Sequence, residues 1–305
     1  MNLSLKTLID PQKVALARAR FHAWWEGQAF DPASLEPAPA QAVSPPAADA
    51  PEPSPEPRLA ALQILWGKGR VMPGDDMEDR LQPARIGLPA TGVLAVFGPG
   101  LGGPLCAAAE AHPGSFLAYE WREEAQAHLA YQVRHPPLSP RTTFEKLDLD
   151  LLSAPTEAWD GAWSLDEFSF APNSSRLAVQ IAKGLKPGAV AVIEAYTSEG
   201  RFAAGSAFAS AFAEPHLAPA EELTTILTAA GLSIEEETDL TPDHLAAAKE
   251  GFRRLESALS AAARQGMEAG VAREIAWEAE SWAHRMAALN GGKLARRRFV
   301  ARKPD

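Results

Sequence analysis

The sequence is short of sulfur chemistry, of positive charge and of long apolar runs, and each shortage narrows what the protein can be. Its single cysteine, Cys106, excludes an intrachain disulfide and any cysteine-cluster metal site. Standing on a predicted helix just after a glycine turn, it reads as a packed small hydrophobe, not a nucleophile. The seven histidines are scattered and form no HExxH pattern, so no metal ligand set is expected. Lys and Arg number 29 against 39 Asp and Glu, a formal net charge of -10, which argues against a general nucleic-acid or anionic-membrane surface. No stretch reaches the roughly 18 apolar residues of a membrane span, and the opening "MNLSLKTLIDPQKV" lacks the apolar core of a signal peptide. A reducing cytoplasm is the simplest expected location.

What the sequence does have is enough apolar material for a core, 46% of 305 residues, distributed in three parts. In residues 1–30, Asp10 and Pro11 start a helix on which Val14, Ala17, Phe21 and Trp24 or Trp25 recur every three or four positions. This aromatic stripe either lies on the core or docks on a protein partner or a second copy. Residues 31–57 hold nine prolines and have little to bury, so they read as an extended tether. The remainder, 58–305, alternates strand and helix patterns.

That remainder is organised around "GVLAVFGPGLGGPLCAAAEAHPGSFLAYE", residues 92–120. The apolar run 93–97 predicts a strand, Gly98, Gly100 and Gly102 a tight turn, the Ala-rich segment a helix, and 116–119 a second strand ending in Glu120. Such a unit brings backbone close to a ligand, aims helix N-terminal N–H groups at it, and sets a carboxylate eighteen residues past Gly102 where a ribose diol can be held. A tight turn with no ligand is the other reading of the same stretch.

Further strands are expected at 144–147, 160–165, 189–194 and 232–238, with a last one at Phe299 and Val300, and short helices at 58–66 and 77–81. A long helical insertion occupies about 241–290. The pattern predicts an α/β, Rossmann-like, seven-stranded, mostly parallel sheet with an antiparallel last strand and a helical insertion before it. Ligands bind beyond the carboxyl ends of such strands, which gathers Gly98 to Gly102, Glu120, Asp148, Ser164 to Glu167 and Glu194 on one rim.

Several pieces in this order carry a resemblance: "VLAVFGPGLGG", the acid closing "FLAYE", "WDGAWSLDEF", "IAKGLKPGAVAVIEAY", "ILTAAGLSIEEETDLT" and the closing "FVARKP". From about Leu65 to Pro304 the chain resembles class I S-adenosylmethionine-dependent methyltransferases. The upstream "LWGKGRVMPGDD" resembles the glycine-rich segment that folds over the methionine part of the cofactor in the small-molecule branch, with Met72 and Pro73 where hydroxyl residues are common.

The resemblance implies S-adenosylmethionine as cofactor and methyl transfer to a small-molecule or lipid-like acceptor. It would give Gly98, Gly100 and Gly102 the methionine moiety, Glu120 the ribose hydroxyls, Asp148, or else Asp150, the adenine amino group, and Ser164 a place beside the cofactor. Asp166, Glu167 and Phe168 would turn toward the acceptor, unless the two acids cap the next helix. Glu167 and His244 are the candidate bases, His244 being alternatively a partly exposed first-turn residue. Phe252, Trp277 and Trp282 would wall the acceptor pocket or pack the helical pair.

Within the glycine motif and the strand before it, two residues depart from the family pattern. Val96 stands where an acid usually helps organise the turn, a loss of about 1 to 3 kcal/mol of charged hydrogen bonding if nothing replaces it. Pro99 removes one N–H donor. A methyltransferase-like domain without catalysis, working through protein contacts, is therefore the alternative reading.

Overall fold

The computed structural model describes residues 52–199 and 216–305; the aromatic helix expected within 1–30 lies outside them, as do residues 31–51 of the tether. Helix α1 (Pro57–Trp66) opens with proline at its first turn, where a missing N–H costs nothing. Helix α2 (Asp76–Ile86) starts on Asp75, whose side chain accepts from the Met77 N–H at 2.7 Å, and ends on left-handed Gly87. It runs five residues beyond its expected end at Leu81, carrying Pro83 inside it. Burial of Gln82, Pro83 and Ile86 outweighs the one hydrogen bond that proline removes.

The sheet then builds as expected. β1 (Val93–Phe97), α3 (Gly103–Ala111), β2 (Ser115–Glu120), α4 (Glu123–Gln132), β3 (Thr142–Lys146) and β4 (Trp159–Leu165) are followed by α5 (Ser174–Gly184) and β5 (Leu185–Ser198). A two-residue strand β6 (Ala218–Pro219), α6 (Ala220–Ala229), β7 (Ser233–Asp239), α7 (Thr241–Gln265), α8 (Ala269–Asn290) and β8 (Leu294–Arg302) complete it.

The order is β3-β2-β1-β4-β5-β8-β7, parallel through β5, with β8 antiparallel to both neighbours. These are the seven expected strands; the small β6, not foreseen, extends the end of β5 through Thr197 and Ser198. Pro187 and Gly188, just before the expected start of this strand at 189, are absorbed into β5 as an irregularity, where the register against β4 shifts between Trp159 and Gly161 and Gly188 takes φ +73°. The last strand is nine residues long, not the two recognised at Phe299 and Val300.

Alternation along β1 fills both faces. Leu94 and Val96 pack with Leu105, Leu129, Trp163 and Val192, whereas Ala95 and Phe97 pack with Tyr119, Trp159, Ile181 and Ile193. Val96 is wholly apolar in its surroundings, so no carboxylate would be tolerated in its place without a partner.

Helices α1, α7 and α8 form a separate cluster in which Trp66 lies 4.7 Å from Trp282 and 6.0 Å from Phe252 between ring centroids. Phe252 and Trp282 thus pack the helical pair onto α1. Trp277 is exposed and stacks on the Arg58 guanidinium at 4.9 Å. No helix among the described residues is long and apolar enough to cross a membrane.

Candidate functional site

The turn after β1 is held in a shape only glycine takes freely. Gly98, Gly100 and Gly102 have φ of +67°, +62° and +98°. The upstream segment lies over it: Gly103 N–H donates to the Gly69 carbonyl at 2.9 Å, and a methyl group on Gly100 would stand 2.9 Å from the Val71 side chain. The glycine-rich segment before β1 and the glycine turn are therefore in direct contact.

Glu120, at the end of β2, is fully buried. It accepts from Gly100 N–H at 2.6 Å and Arg122 N–H at 2.8 Å, and Arg122 Nη1 reaches both oxygens at 3.0 and 3.3 Å. The same Nη1 lies 3.5 Å from the Gly98 carbonyl, and the guanidinium stacks 4.5 Å over Trp121. Trp121 in turn packs against Phe170 at 4.7 Å. Burial pushes the Glu120 carboxyl above its ordinary range, opposed chiefly by Arg122.

Across the turn, Ser164 sits at the end of β4 in register with Phe97. Its hydroxyl donates to Glu167 Oε2 at 2.6 Å. Glu167 is wholly buried in a short 3₁₀ turn, and its other oxygen, Oε1, has no hydrogen-bond partner. A methyl group on Gly98 would fall 1.6 Å from that oxygen, so the carboxylate occupies the space glycine leaves. Burial raises the Glu167 carboxyl to about 8, against the pull of Arg122 and Ser164.

Asp166, in left-handed geometry at φ +85°, accepts from Ser169 Oγ at 2.9 Å and Tyr196 N–H at 3.0 Å, and meets Arg296 Nη1 at 3.0 Å. Asp166 and Glu167 are thus both turned inward, and the next long helix is capped by Asn173, which accepts from Arg176 N–H at 2.9 Å.

A cavity of about 980 Å³ opens beside Gly98 and Pro99, between the 67–79 segment, α7 and β8. Its buried arginines are paired with carboxylates. Arg298 meets Glu194 at 2.8 Å and Glu78 at 2.6 Å; Arg296 meets Glu194 at 3.6 Å as well as Asp166; Arg70 binds Asp76 at 2.6 Å and also Asp79. Burial lifts the Asp79 carboxyl to about 7 despite Arg70.

His244 also borders this cavity and is buried, contrary to the partly exposed first-turn position expected for it. The reason is that α7 turns its first turn inward, where His244 Nε2 pairs with Tyr196 Oη at 2.5 Å and the imidazole lies 5.7 Å from Trp282. Burial, with Arg296 and Arg285 nearby, drives its pKa well below the ordinary value, so it is neutral at neutral pH.

The structure brings Gly98, Gly100, Gly102, Glu120, Ser164 and Glu167 into one cluster and sets His244 on a second, joined to the first through Tyr196, Arg296 and Asp166. Asp148 is placed beyond β3 and exposed, its Oδ1 accepting from Asp150 N–H at 2.9 Å. Arg122, Tyr196 and Arg296 escaped the sequence reading. The alternation in "LARRRF" carried a signal, since Arg296 and Arg298 must share one face of a strand.

No family model matches the sequence, and no curated protein matches it. Solved structures do. Haemonchus contortus phosphoethanolamine N-methyltransferase 2, in complex with S-adenosyl-L-methionine, superposes with a TM-score of 0.69 at 19% identity over 81% of this chain. The chain spans 57% of that enzyme's length. The [4+2]-cyclase SpnF matches at 0.63 and 19%, over 82% of this chain and 97% of its own. Geranyl diphosphate C-methyltransferase from Streptomyces coelicolor A3(2), in complex with Mg2+, geranyl diphosphate and S-adenosyl-L-homocysteine, matches at 0.58 and 14%, over 84% of this chain and 87% of its own. At these identities the likeness concerns architecture, and a cyclase among the matches illustrates that fold and reaction are separable. The protein has the class I S-adenosylmethionine-dependent methyltransferase-like Rossmann fold.

Proposed function

We propose that this protein binds S-adenosylmethionine and transfers its methyl group to a small-molecule or lipid-like acceptor. The observation that carries this reading is the Gly98–Gly102 turn with Glu120 hydrogen-bonded to it at 2.6 Å, opening on a cavity of about 980 Å³. The residues fit the cofactor: a positive-φ turn no larger residue would tolerate, a β2-tip carboxylate, and an orphaned buried carboxylate oxygen on Glu167.

The bound cofactor supplies an electrophilic methyl group. Gly98, Gly100 and Gly102 would hold it through backbone, Glu120 would take the ribose hydroxyls, Asp148 the adenine edge, and Ser164 would lie alongside. Gly100 N–H and the Arg122 guanidinium both bind Glu120, so ribose recognition would require the guanidinium to yield one carboxylate oxygen. His244, neutral and braced by Tyr196, accepts a proton from the acceptor where the acceptor must lose one, with Glu167 as the second candidate. Holding the acceptor in the cavity in line with the methyl group would supply the orientation that is most of what methyl transfer asks of a protein.

Residues 58–305 form the catalytic domain in this reading, the aromatic helix of 1–30 a contact surface for a protein partner or a second copy, and 31–57 its tether, with the cytoplasm as location. Deleting 1–57 should leave the melting transition intact and abolish association.

A second reading, a methyltransferase-like protein without catalysis, is favoured by the saturation of Glu120 by Arg122. Calorimetry with S-adenosylmethionine and S-adenosylhomocysteine separates the two. Binding weakened at least tenfold by Glu120→Ala supports the enzyme; no binding of either ligand at millimolar concentration to the folded protein overturns it.

A further inference from the structure

Five carboxylates and three guanidiniums gather around the ends of β1, β4 and β5, and one carboxylate, Glu167, is in no direct ion pair with them. Arg122 spends its bonds on Glu120. Arg296 and Arg298 share Glu194, with Arg296 also on Asp166 and Arg298 also on Glu78. Glu167 is hydrogen-bonded by a neutral group, the Ser164 hydroxyl, while Arg122 and Arg296 act on it through space, and its Oε1, with no exposure at all, points at the Gly98 backbone with no hydrogen-bond partner. A buried carboxylate of this kind is costly in the charged form unless a positive group arrives. The turn it touches is the one that approaches the ligand.

We propose that Glu167 is the charge partner of a cationic ligand at the Gly98 turn, so that the site tells the sulfonium form of the cofactor from its neutral, demethylated product. This rests on the reading of the turn as the cofactor cradle. It also gives a use to a carboxylate arriving from β4 where β1 has Val96. Product release follows from it: once the positive charge has left with the methyl group, the partner of Glu167 is gone.

The groups facing Glu167 are Arg122 and Glu120 from β2 and the residues just after it, Ser164 and Asp166 from the end of β4, and Arg296 from β8. With no ligand the carboxyl, raised to about 8, carries its proton at pH 7. A neighbouring cation favours the ionised form, so the sulfonium ligand expels that proton to solvent and the thioether ligand does not.

The experiment is isothermal titration of the full chain with S-adenosylmethionine and with S-adenosylhomocysteine in buffers of different ionisation enthalpy. The two ligands share every other group, so contributions from the adenosine and amino-acid parts cancel. The expected result is a difference approaching about one proton released at pH 7, vanishing by about pH 9.5. The affinity ratio should rise by up to about tenfold per pH unit below that range and flatten above it. Glu167→Gln should abolish both differences. Ser164→Ala, which removes a bond that favours ionisation, should move the flattening to higher pH, and it keeps the test decisive if Glu167→Gln does not fold. Equal proton release for the two ligands in the wild-type chain overturns the proposal while leaving cofactor binding intact. Failure of both ligands to bind instead overturns the function on which it rests.

Discussion

Two regions border the same turn and solve the problem of buried charge in opposite ways. On the β2 side, Glu120, Arg122 and Glu167 are packed so tightly that a single methyl group on Gly98 would overlap a carboxylate oxygen, and the backbone itself supplies hydrogen bonds. On the β8 side, Arg296, Arg298 and Arg70 pair with Asp166, Glu194, Glu78 and Asp79 around a cavity of about 980 Å³. The first region is tightly packed around an unpartnered carboxylate oxygen, and the second is roomy with most of its buried charges in ion pairs. The contrast separates two tasks. A crowded cluster with an unpaired carboxylate is suited to recognising a ligand by its charge, and a roomy, balanced cavity to admitting acceptors of varied shape.

Removing the cation from the crowded side should cost most. Arg122→Ala leaves Glu120 without its charge partner in a fully buried place, and breaking a buried pair on one side costs about 3–5 kcal/mol. Chemical denaturation should show this loss at pH 8 and a smaller one at pH 5, where protonation relieves the stranded carboxylates; an equal loss at both would mean that Arg122 acts through packing alone. Gly98→Ala comes next, at about 2–4 kcal/mol from left-handed backbone strain and overpacking together. Combining it with Glu167→Ala should recover the overpacking share and leave the strain. If the double variant is no better than Gly98→Ala, the crowding of this region has another source.

The crowded region was the more legible of the two in the sequence, though only in outline. Glycine spacing, the apolar run before it and the acid eighteen residues on are local signals, and strand periodicity placed the seven strands in their order. What β1, β2 and β4 do to one another at their tips is not local: that Arg122 folds back onto Glu120, or that Glu167 fills the space above Gly98, depends on the parallel register setting Phe97 beside Tyr119 and Ser164. Arg296 and Arg298 were visible as alternate positions in "LARRRF", yet their partners required the pairing of Glu194 with Arg298 and Tyr196 with Arg296 across β5 and β8. His244 was misplaced at the surface for the same reason. First-turn residues of long helices are usually solvated, and nothing local announces a buried tyrosine hydroxyl waiting for the imidazole. The helix past Leu81 was cut short because proline is a local stop signal that tertiary burial can override.

On the roomy side the effects should be smaller. Tyr196→Phe removes the hydroxyl from His244 and should lower stability by about 1–2 kcal/mol, a net hydrogen bond plus the cost of a less satisfied buried imidazole. The sign of the pH dependence identifies the histidine. Its folded pKa lies below the ordinary 6.5, so its contribution is present above that value and is lost as pH falls through it toward the folded pKa. A Tyr196→Phe variant whose denaturation midpoint tracks wild type through that acid range would show that the pair does not set the histidine's environment.

The smallest effect on stability tests how far the crowded region's ligand site extends. Asp148 is exposed beyond β3, and its hydrogen bond to Asp150 N–H at 2.9 Å tightens a surface turn, so Asp148→Ala should change stability by no more than about 0.5 kcal/mol. If it receives the adenine amino group, cofactor affinity should nevertheless fall about fivefold to tenfold, or about 1 kcal/mol, the worth of one solvent-exposed hydrogen bond. Calorimetry on the variant reads both quantities separately. A binding loss without a stability loss would extend the recognition surface from the buried turn to the sheet edge. Unchanged affinity would confine it to Glu120 and the glycines, with Asp148 serving the turn alone.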